Sequence, residues 1–133
     1  MATRNENRSQ ATMILFDTNV FIYLTKGAID IDSIKQDIIG FASITKIEAL
    51  GYSQITVAEQ QYLEALFSEC EQLNLAEAVI HSAIKLRQRT NMSLGDAIIA
   101  ATALEYDCEL YTANEKDFSH IEGLRIHNPL VKS

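Results

Sequence analysis

The segment Met13-Ile14-Leu15-Phe16-Asp17 places four consecutive apolar residues directly before a carboxylate. A short run that is apolar on both faces is typical of a strand buried within a parallel sheet. The next segment, residues 19–24, is mostly apolar, fits one or two helical turns and ends before Gly27. The folded part of the chain is therefore predicted to begin with a strand, an acid at its carboxyl end and a helix.

Strands and helices are predicted to alternate along the rest of the chain. The apolar patterns favour strands at 40–44, 109–112 and 124–127, with a weaker one at 74–76. They favour helices at 45–51, from Thr56 through Phe67, at 78–89 and at about 95–106, whereas residues 30–39 fit neither pattern. Alternating strands and helices indicate βαβ units, so we predict an α/β fold with a mostly parallel sheet.

The 133 residues have the length of one domain, without an internal repeat or linker. Residues 1–12 are polar and lack the apolar core of a secretory signal, so a flexible arm is expected before a single domain at 13–133. Cys70 and Cys108 are too few for a disulfide scaffold, which favours a reducing, cytoplasmic location. A membrane-spanning helix needs about 20 apolar residues, and the sequence has no such run.

The net charge is −7, from 18 acidic and 11 basic side chains. This balance argues against a protein that grips nucleic acid with a broad basic surface. Acids that are gathered around a metal site would still be compatible with a nucleic-acid substrate, because bound divalent cations offset their charge. The positions of the acids therefore decide between these interpretations.

Asp17 is the first candidate site residue, since it follows the first predicted strand. Ligands of open parallel sheets bind at the carboxyl ends of the strands. Asp17 is therefore expected at that edge, and Asn19 lies two residues further on. The alternative is that Asp17 only caps the N-terminus of the next helix, as strand-to-helix junctions favour.

Glu48 is predicted to lie in the first turn of the helix that leaves the second strand. Thr45 and Glu48 have the spacing of a capping box, which by itself is a sufficient structural explanation. Thr56 and Glu59 repeat this spacing with no strand before them, and they serve as an internal control. Only its position after a strand makes Glu48 a functional candidate.

Two further acids follow the same rule of position. Asp96 begins the apolar helix predicted at about 95–106, where either the helix dipole or a bound cation accounts for a buried carboxylate. The segment 112–118 (Thr-Ala-Asn-Glu-Lys-Asp-Phe) contains Asp117 and follows the fourth predicted strand. It is either a polar turn with Asn114 as a helix cap or a further part of the site.

The candidate ligands are hard oxygen donors without an accompanying set of Cys or His residues. Such donors suit Mg²⁺ or Mn²⁺ better than Zn²⁺. His81, His120 and His127 have no ligand spacing and are expected to be surface or structural residues. The predicted edge of the sheet is therefore a candidate site for a hard divalent cation.

Four segments occur in a fixed order between residue 13 and about residue 128: 14–19 (Ile-Leu-Phe-Asp-Thr-Asn), 43–48 (Ser-Ile-Thr-Lys-Ile-Glu), 95–103 (Gly-Asp-Ala-Ile-Ile-Ala-Ala-Thr-Ala) and 112–118. Together they resemble the PIN-domain family, and within it the VapC-type toxins of prokaryotic toxin–antitoxin pairs. The resemblance implies a three-layer sandwich, in which helices flank a central parallel sheet. It also implies a Mg²⁺- or Mn²⁺-dependent endoribonuclease.

The resemblance implies roles for individual residues. Metal binding and catalysis are assigned to Asp17, Glu48 and Asp96. Family members carry a fourth acid at the position of either Asn114 or Asp117, and Asp117 is the preferred candidate here. Assisting roles fall to Asn19, Thr112 and Asn114. Metal-activated water would then hydrolyse the RNA phosphodiester, without a protein nucleophile.

The resemblance further implies an RNA substrate, a homodimer and a small antitoxin protein whose tail covers the acidic site. Phe21, Ile22 and Leu63 are candidates for a groove that takes an amphipathic helix of this antitoxin, and are otherwise ordinary core residues. Candidates for contact with the RNA backbone are Lys46, Arg87 and Arg89.

Other functions remain as alternatives. A haloacid-dehalogenase-like phosphatase also begins with a strand and an Asp, but it needs a second Asp where this chain has Asn19. A receiver-like signalling domain needs a pair of acids before its phosphoacceptor strand and a later Lys, and neither is evident. A PIN-like scaffold that binds a partner without catalysis is the main alternative.

Overall fold

The structure, a computed structural model, describes residues 13–34 and 37–130. The predicted arm at residues 1–12 lies outside the described residues, as do the last three residues of the chain. The flexible arm and the bounds of the single domain therefore stay predictions.

Five parallel strands form one sheet in the order β3-β2-β1-β4-β5. They are β1 (Met13–Phe16), β2 (Ile38–Ala42), β3 (Glu71–Leu73), β4 (Glu109–Tyr111) and β5 (Ile126–His127). The first strand of the chain is the centre of the sheet, since β1 pairs with both β2 and β4. The parallel sheet that the alternating pattern predicts is confirmed.

Helices connect the strands and cover both faces of the sheet. They are α1 (Thr18–Thr25), α2 (Ser43–Leu50), α3 (Val57–Ser68), α4 (Glu77–Arg89), α5 (Leu94–Glu105) and the short α6 (Glu115–Phe118), with a 3₁₀ turn at Ile31–Ser33. Helix α1 ends before Gly27, whose φ of +73° lies in the left-handed region that glycine tolerates. None of the helices in the described ranges is long and apolar enough to cross a membrane.

Successive side chains of β1 point to opposite faces of the sheet, and each face has its own hydrophobic cluster. Ile14 and Phe16 join the cluster formed with α1 and α3, where the rings of Phe21, Phe41 and Phe67 lie 4.6–6.1 Å apart. The second cluster lies on the opposite face of the sheet, where Leu15 and Leu110 pack against α4 and α5. The three-layer sandwich is confirmed, and the apolar run at 13–16 is explained by burial on both faces.

Helix α5 is buried along most of its length, as the sequence predicts. Its side chains in the core are mainly small, including Ala97, Ala100, Ala101 and Ala103. Small side chains allow its backbone to lie close to the sheet and to its neighbours α4 and α2. The N-terminus of α5 is thereby held beside α2, which matters for the candidate site.

All four strands predicted after the first differ from the structure in their bounds, and of these the strand at 109–112 ends at Tyr111 and the strand at 124–127 begins at Ile126. The strand predicted at 40–44 is β2 at Ile38–Ala42, because its pairing with β1 begins at Met13 and Ile38. The strand predicted at 74–76 lies instead at Glu71–Leu73. As an edge strand with one buried side chain, β3 has no apolar pattern that a sequence could reveal.

Candidate functional site

Asp17 lies at the junction of β1 and α1, at the carboxyl edge of the sheet. Its backbone N–H donates to the carbonyl of Tyr111 at 3.1 Å, which extends the pairing of β1 with β4 by one residue. Its Oδ1 accepts a hydrogen bond from the N–H of Val20 at 3.0 Å, so the residue caps α1. Asp17 therefore caps α1, and it also lines a cavity with two other acids.

Asp17 is only 3% exposed, and this burial has the largest effect on the pKa of its carboxyl. Removal from water raises the pKa of its carboxyl, and the charge of Asp96 raises it further. Hydrogen bonding by Thr112 and by the backbone amides of Val20 and Asn19 lowers the pKa in part. The charged carboxylate is therefore incompletely compensated at this position.

Glu48 lies in the second turn of α2, and not in the first turn as the sequence predicts. Helix α2 begins at Ser43 after Ala42, which makes no side-chain capping bond, so the predicted capping box of Thr45 and Glu48 is wrong. Thr45 is instead buried inside the helix. The reason is that β2 ends two residues earlier than its apolar pattern suggests.

The carboxylate of Glu48 is held by α1 and faces the start of α5. The hydroxyl of Thr18 donates to Oε1 of Glu48 at 2.6 Å and is also hydrogen-bonded to the hydroxyl of Thr45 at 3.1 Å. On the other side, a Cβ at Gly95 would lie only 2.6 Å from Oε2 of Glu48. The carboxylate of Glu48 therefore occupies the space that a side chain at position 95 would need.

Thr56 and Glu59 form a true capping box at the start of α3. The Thr56 hydroxyl accepts from the N–H of Glu59, and Oε1 of Glu59 accepts from the N–H of Thr56, both at 3.0 Å. These bonds lower the pKa of Glu59, with a smaller contribution from the charge of Lys26. Glu59, the internal control for Glu48, thus stabilises the N-terminus of α3 as part of a capping box.

Glu59→Gln is expected to leave RNA cleavage unchanged and to lower the melting temperature slightly at neutral pH. The folded state lowers the pKa of Glu59, so its stabilisation is present above the unfolded pKa and is lost as the pH falls through the folded value. Thermal unfolding of both proteins at several pH values measures this difference, which should shrink in acid. A folded Glu59→Gln protein without cleavage would contradict the argument from position.

Asp96 lies in the first turn of α5, where its N–H donates to the hydroxyl of Ser93 at 3.1 Å. Burial is the largest cause that raises the pKa of Asp96, followed by the charge of Asp117. The hydrogen bond with Ser93 lowers this pKa, and the charge of Glu48 raises it again. Asp96 thus interacts electrostatically with each of the other three acids, Asp17, Glu48 and Asp117.

Three of the predicted acids meet at one cavity of about 350 Å³. Its lining consists of Asp17, Thr18, Asn19, Glu48, Asp96 and Ile99. These residues come from the end of β1 and from the helices α1, α2 and α5. The first of them, Asp17, and the last, Ile99, are 82 positions apart in the sequence. The expectation that strand-end acids lie close together is thereby fulfilled for three of the four.

Asp117 lies beside this cavity and does not line it. It lines an adjoining cavity of about 480 Å³, to which Asp96 also contributes. Asn114 is exposed, precedes α6 without a side-chain capping bond, and donates its N–H to the hydroxyl of Thr112 at 3.0 Å. Of the predicted assisting residues, Asn19 lines the cavity of about 350 Å³, which we call the acid cavity. Thr112 is buried, and its side-chain hydrogen bonding lowers the pKa of Asp17.

Within residues 13–34 and 37–130, none of the four acids forms an ion pair with Lys, Arg or His. In the same ranges, Asp, Glu, His and Cys side chains form no group of three that could hold a metal ion as they stand. The site therefore combines concentrated carboxylates with the absence of an ion-paired cation among the described residues.

The predicted RNA contacts are spread over the surface. Lys46 is exposed on α2, whereas Nε of Arg87 donates to the carbonyl of Met92 at 3.3 Å and so supports the loop between α4 and α5. Arg89 lines a cavity of about 370 Å³ on the side of α4. Of the three, only Arg89 borders a cavity that adjoins the one containing Asp117.

Sequence reasoning gave no role to Thr18, Gly95 or His120. Thr18 and Gly95 fix the position of Glu48, and His120 shares a cavity with Asp117. Thr18 has a signal in the sequence, since it follows a strand-end acid directly. Gly95 has one as well, since a glycine in the first turn of a helix is unfavourable without a reason of packing.

Comparison with solved structures shows the same fold in several toxin–antitoxin assemblies. A toxin–antitoxin complex from Klebsiella pneumoniae contains a chain that is 29% identical, with a TM-score of 0.73, over 87% of this chain and 97% of that one. VapBC-1 from nontypeable Haemophilus influenzae is 25% identical (TM-score 0.72, 88% and 98% covered). VapBC2 from Rickettsia felis, bound to a promoter DNA fragment, is 21% identical (TM-score 0.77, 88% and 98%) and supports the fold alone.

Sequence comparison with known families gives a match over most of the chain. Comparison with curated proteins yields no significant match. The PIN domain family matches residues 14–124, a range that begins in β1 and includes Asp17, Glu48, Asp96 and Asp117. The match and the sheet order with its three layers agree, and the chain belongs to the PIN-domain family.

Proposed function

We propose that this protein is a divalent-metal-dependent endoribonuclease and the toxin of a toxin–antitoxin pair. The observation that supports this most directly is the cavity shared by Asp17, Glu48 and Asp96. Burial raises the pKa values of Asp17 and Asp96, so a cation would stabilise their charged forms, and no protein cation pairs with them in the described residues. PIN domains are generally nucleases, which agrees with a phosphodiester substrate.

The donor set fits Mg²⁺ or Mn²⁺. All candidate ligands are oxygens, and Mg²⁺ is commonly held by one or two carboxylates together with several waters. Such an ion needs no ready group of three protein ligands, a group that the described residues lack. A bound divalent cation supplies neutralisation of the phosphodiester charge and promotes ionisation of the attacking water.

In this proposal, Asp17, Glu48 and Asp96 hold the cation either directly or through its bound waters, and Asp117 acts from the adjoining cavity. Thr18 positions Glu48 through its hydrogen bond of 2.6 Å. Thr112 favours the ionised form of the buried Asp17, since its hydrogen bonding lowers a pKa that burial raises. Asn19 lines the same cavity and offers polar atoms to the substrate or to water.

The proposal is tested by incubating the purified protein with single-stranded RNA in Mg²⁺, in Mn²⁺ and in EDTA. We expect internal cleavage with either ion and none in EDTA, because only the ion offsets the charge of the phosphate. A folded protein that cleaves no RNA with any divalent ion would favour the alternative, a PIN-like scaffold that binds a partner without catalysis.

Metal binding has a second readout in stability. The folded pKa of Asp17 is raised above 3.8, so its ionisation destabilises the fold progressively as the pH rises above that value. Without metal, Asp17→Asn should therefore be the more stable protein at neutral pH. Asn retains the cap of α1, so this difference isolates the charge.

Magnesium should reverse this order. At a hundred times its dissociation constant, an ion that binds only the folded state adds about 2.7 kcal/mol. Thermal unfolding at neutral pH should show that MgCl₂ raises the melting temperature of the wild type far more than that of Asp17→Asn. Equal shifts in both proteins would remove Asp17 from the metal site. Well below pH 3.8, where the carboxyl is protonated in both the folded and the unfolded state, the stability difference without metal that arises from its charge should vanish.

An apolar groove beside the site suits an antitoxin. A cavity of about 320 Å³ between α1, α2 and α3 is lined by Ile22, Tyr52, Ile55 and Leu63 and shares Thr18, Asn19 and Glu48 with the acid cavity. Phe21, which the sequence assigned to this groove, is fully buried and lies in the core. An apolar helix in the groove could extend an Arg or Lys to the carboxylates.

The proposed partner is an antitoxin encoded in a neighbouring reading frame, and a toxin–antitoxin complex among the solved structures with this fold supports a partner of this kind. We further propose that the protein is a homodimer. Because its proposed substrate is cellular RNA, we also propose a cytoplasmic location. Co-expression should yield a complex that does not cleave RNA, whereas the chain alone should be toxic when overproduced. A chain that is harmless alone and uninhibited by the neighbouring product would refute the antitoxin but leave the nuclease assay as the test of cleavage.

A further inference from the structure

Two cavities continue the acid site on the side away from the apolar groove. The cavity of about 480 Å³ shares Asp96 with the acid cavity and is also lined by Lys116, Asp117 and His120. The cavity of about 370 Å³ shares Thr90 and His120 with it and extends to Arg89 and Lys85. Together these two adjoining cavities form a path with several basic side chains, which we call the α4–α6 track.

The track carries cations that form no ion pair with another described residue. In the described ranges, Lys26 and Arg125 form ion pairs with Glu59 and Asp107. No carboxylate in those ranges lies within ion-pair distance of Lys85, Arg89 or Lys116. Unpaired cations beside a cluster of carboxylates in an acidic protein suit a ligand that is itself a row of negative charges.

His120 lies where the two cavities meet. Its Nε2 is 3.0 Å from the carbonyl oxygen of Asp117. A carbonyl only accepts hydrogen bonds, so Nε2 carries the proton and the ring is fixed in orientation. His120 is otherwise exposed, and its ring can stack on an unpaired base, as aromatic and histidine rings do in single-stranded RNA recognition.

The floor of the track is rigid. Nε of Arg87 donates to the carbonyl of Met92, and the hydroxyl of Thr90 donates to the carbonyl of Leu86 at 3.2 Å. Ser93 caps the following helix through the N–H of Asp96. The connection between α4 and α5 is thus fixed from both ends, which holds the track in a constant position relative to Asp96.

We propose that single-stranded RNA lies along the α4–α6 track, with its scissile phosphate at the acid cavity. Nucleotides on one side of that phosphate pass Lys116 and His120, and their phosphates reach Arg89 and Lys85. This inference rests on the proposed nuclease function and adds the direction of the substrate. The apolar groove on the opposite side of the site, lined by Ile22 and Leu63, does not contact this part of the strand.

The proposal replaces two of the RNA contacts expected from the sequence. Arg87 supports the loop between α4 and α5 through its bond to Met92, and Lys46 lines neither cavity of the track. Arg89 remains, and Lys85 and Lys116 are added. The difference arises because α4 places Lys85 and Arg89 one helical turn apart on one face.

The test compares Arg89→Gln and the double variant K85Q/R89Q with the wild type, on a short single-stranded RNA. Each lost phosphate contact should raise the KM roughly fivefold with little change in kcat, and lower the salt slope of binding by about 0.7. A dinucleotide substrate, too short to reach Arg89, should be cleaved equally by all three proteins.

Arg125→Gln is the matched control, since it removes one Arg that is paired with Asp107 outside the track. Lys46→Gln tests a path across α2. A rise in KM for Lys46→Gln but not for Arg89→Gln would overturn the proposal, as would equal effects of Arg89→Gln and Arg125→Gln. Fluorescence anisotropy of labelled RNA without divalent metal measures the same ranking independently of cleavage, so failure of the nuclease function and failure of the track are distinguished.

Discussion

Asp17→Asn, Glu48→Gln and Asp96→Asn are each expected to lower kcat/KM for RNA cleavage by about 100-fold or more while the protein stays folded. The three side chains line one cavity and come from three elements, so each change removes one charge from a common site. Each replacement keeps the size of the side chain. The expected loss therefore reports the charge that a hard cation needs and not a change in packing.

The measurement is a set of cleavage rates at limiting Mg²⁺, with circular dichroism to confirm folding. Glu59→Gln is the matched control for Glu48→Gln, because both follow a Thr by three residues but only Glu48 lines the cavity. Asp117→Asn should give a smaller loss, since Asp117 lines only the adjoining cavity. Wild-type rates in all three principal variants would refute the site.

Gly95→Ala is expected to lower kcat/KM by at least about tenfold without loss of stability. The added Cβ would lie 2.6 Å from Oε2 of Glu48, and the far end of this flexible side chain is the part that moves. Displacement takes the carboxylate away from its hydrogen bond with Thr18 and from Asp96. Ala is favoured over Gly within a helix by up to about 1 kcal/mol, so the fold should hold.

A double-mutant cycle with Glu48→Asp checks the cause of this loss. The shorter side chain withdraws its carboxylate from position 95, so Gly95→Ala should cost much less activity in that background. Melting temperatures should stay close to those of the parent proteins. Additive losses, or a marked fall in melting temperature for Gly95→Ala alone, would show that the added methyl group acts on packing and not through Glu48.

The sequence alone determined the centre of this fold and the approximate position of its acids. The apolar run at 13–16 predicted a strand buried on both faces, and it is the central strand β1. The apolar stretch after Ser93 predicted the buried helix α5, with Asp96 in its first turn. Both are strong local signals, because full burial imposes apolar residues in sequence without reference to the rest of the chain.

The tertiary structure alone decided what surrounds each acid. Pairing with β3 extends to Ala42 at the end of β2, and helix α2 begins directly after it, so the expected capping box of Thr45 and Glu48 lies in the helix interior. Packing of α2 between α1 and α5 brought Thr18 and Gly95 against the Glu48 carboxylate. Strand register and helix contacts join residues far apart in the chain, so no local pattern encodes them. The position of the acids is therefore written in the sequence, while their hydrogen bonds, shared charge and access to a substrate arise only on folding.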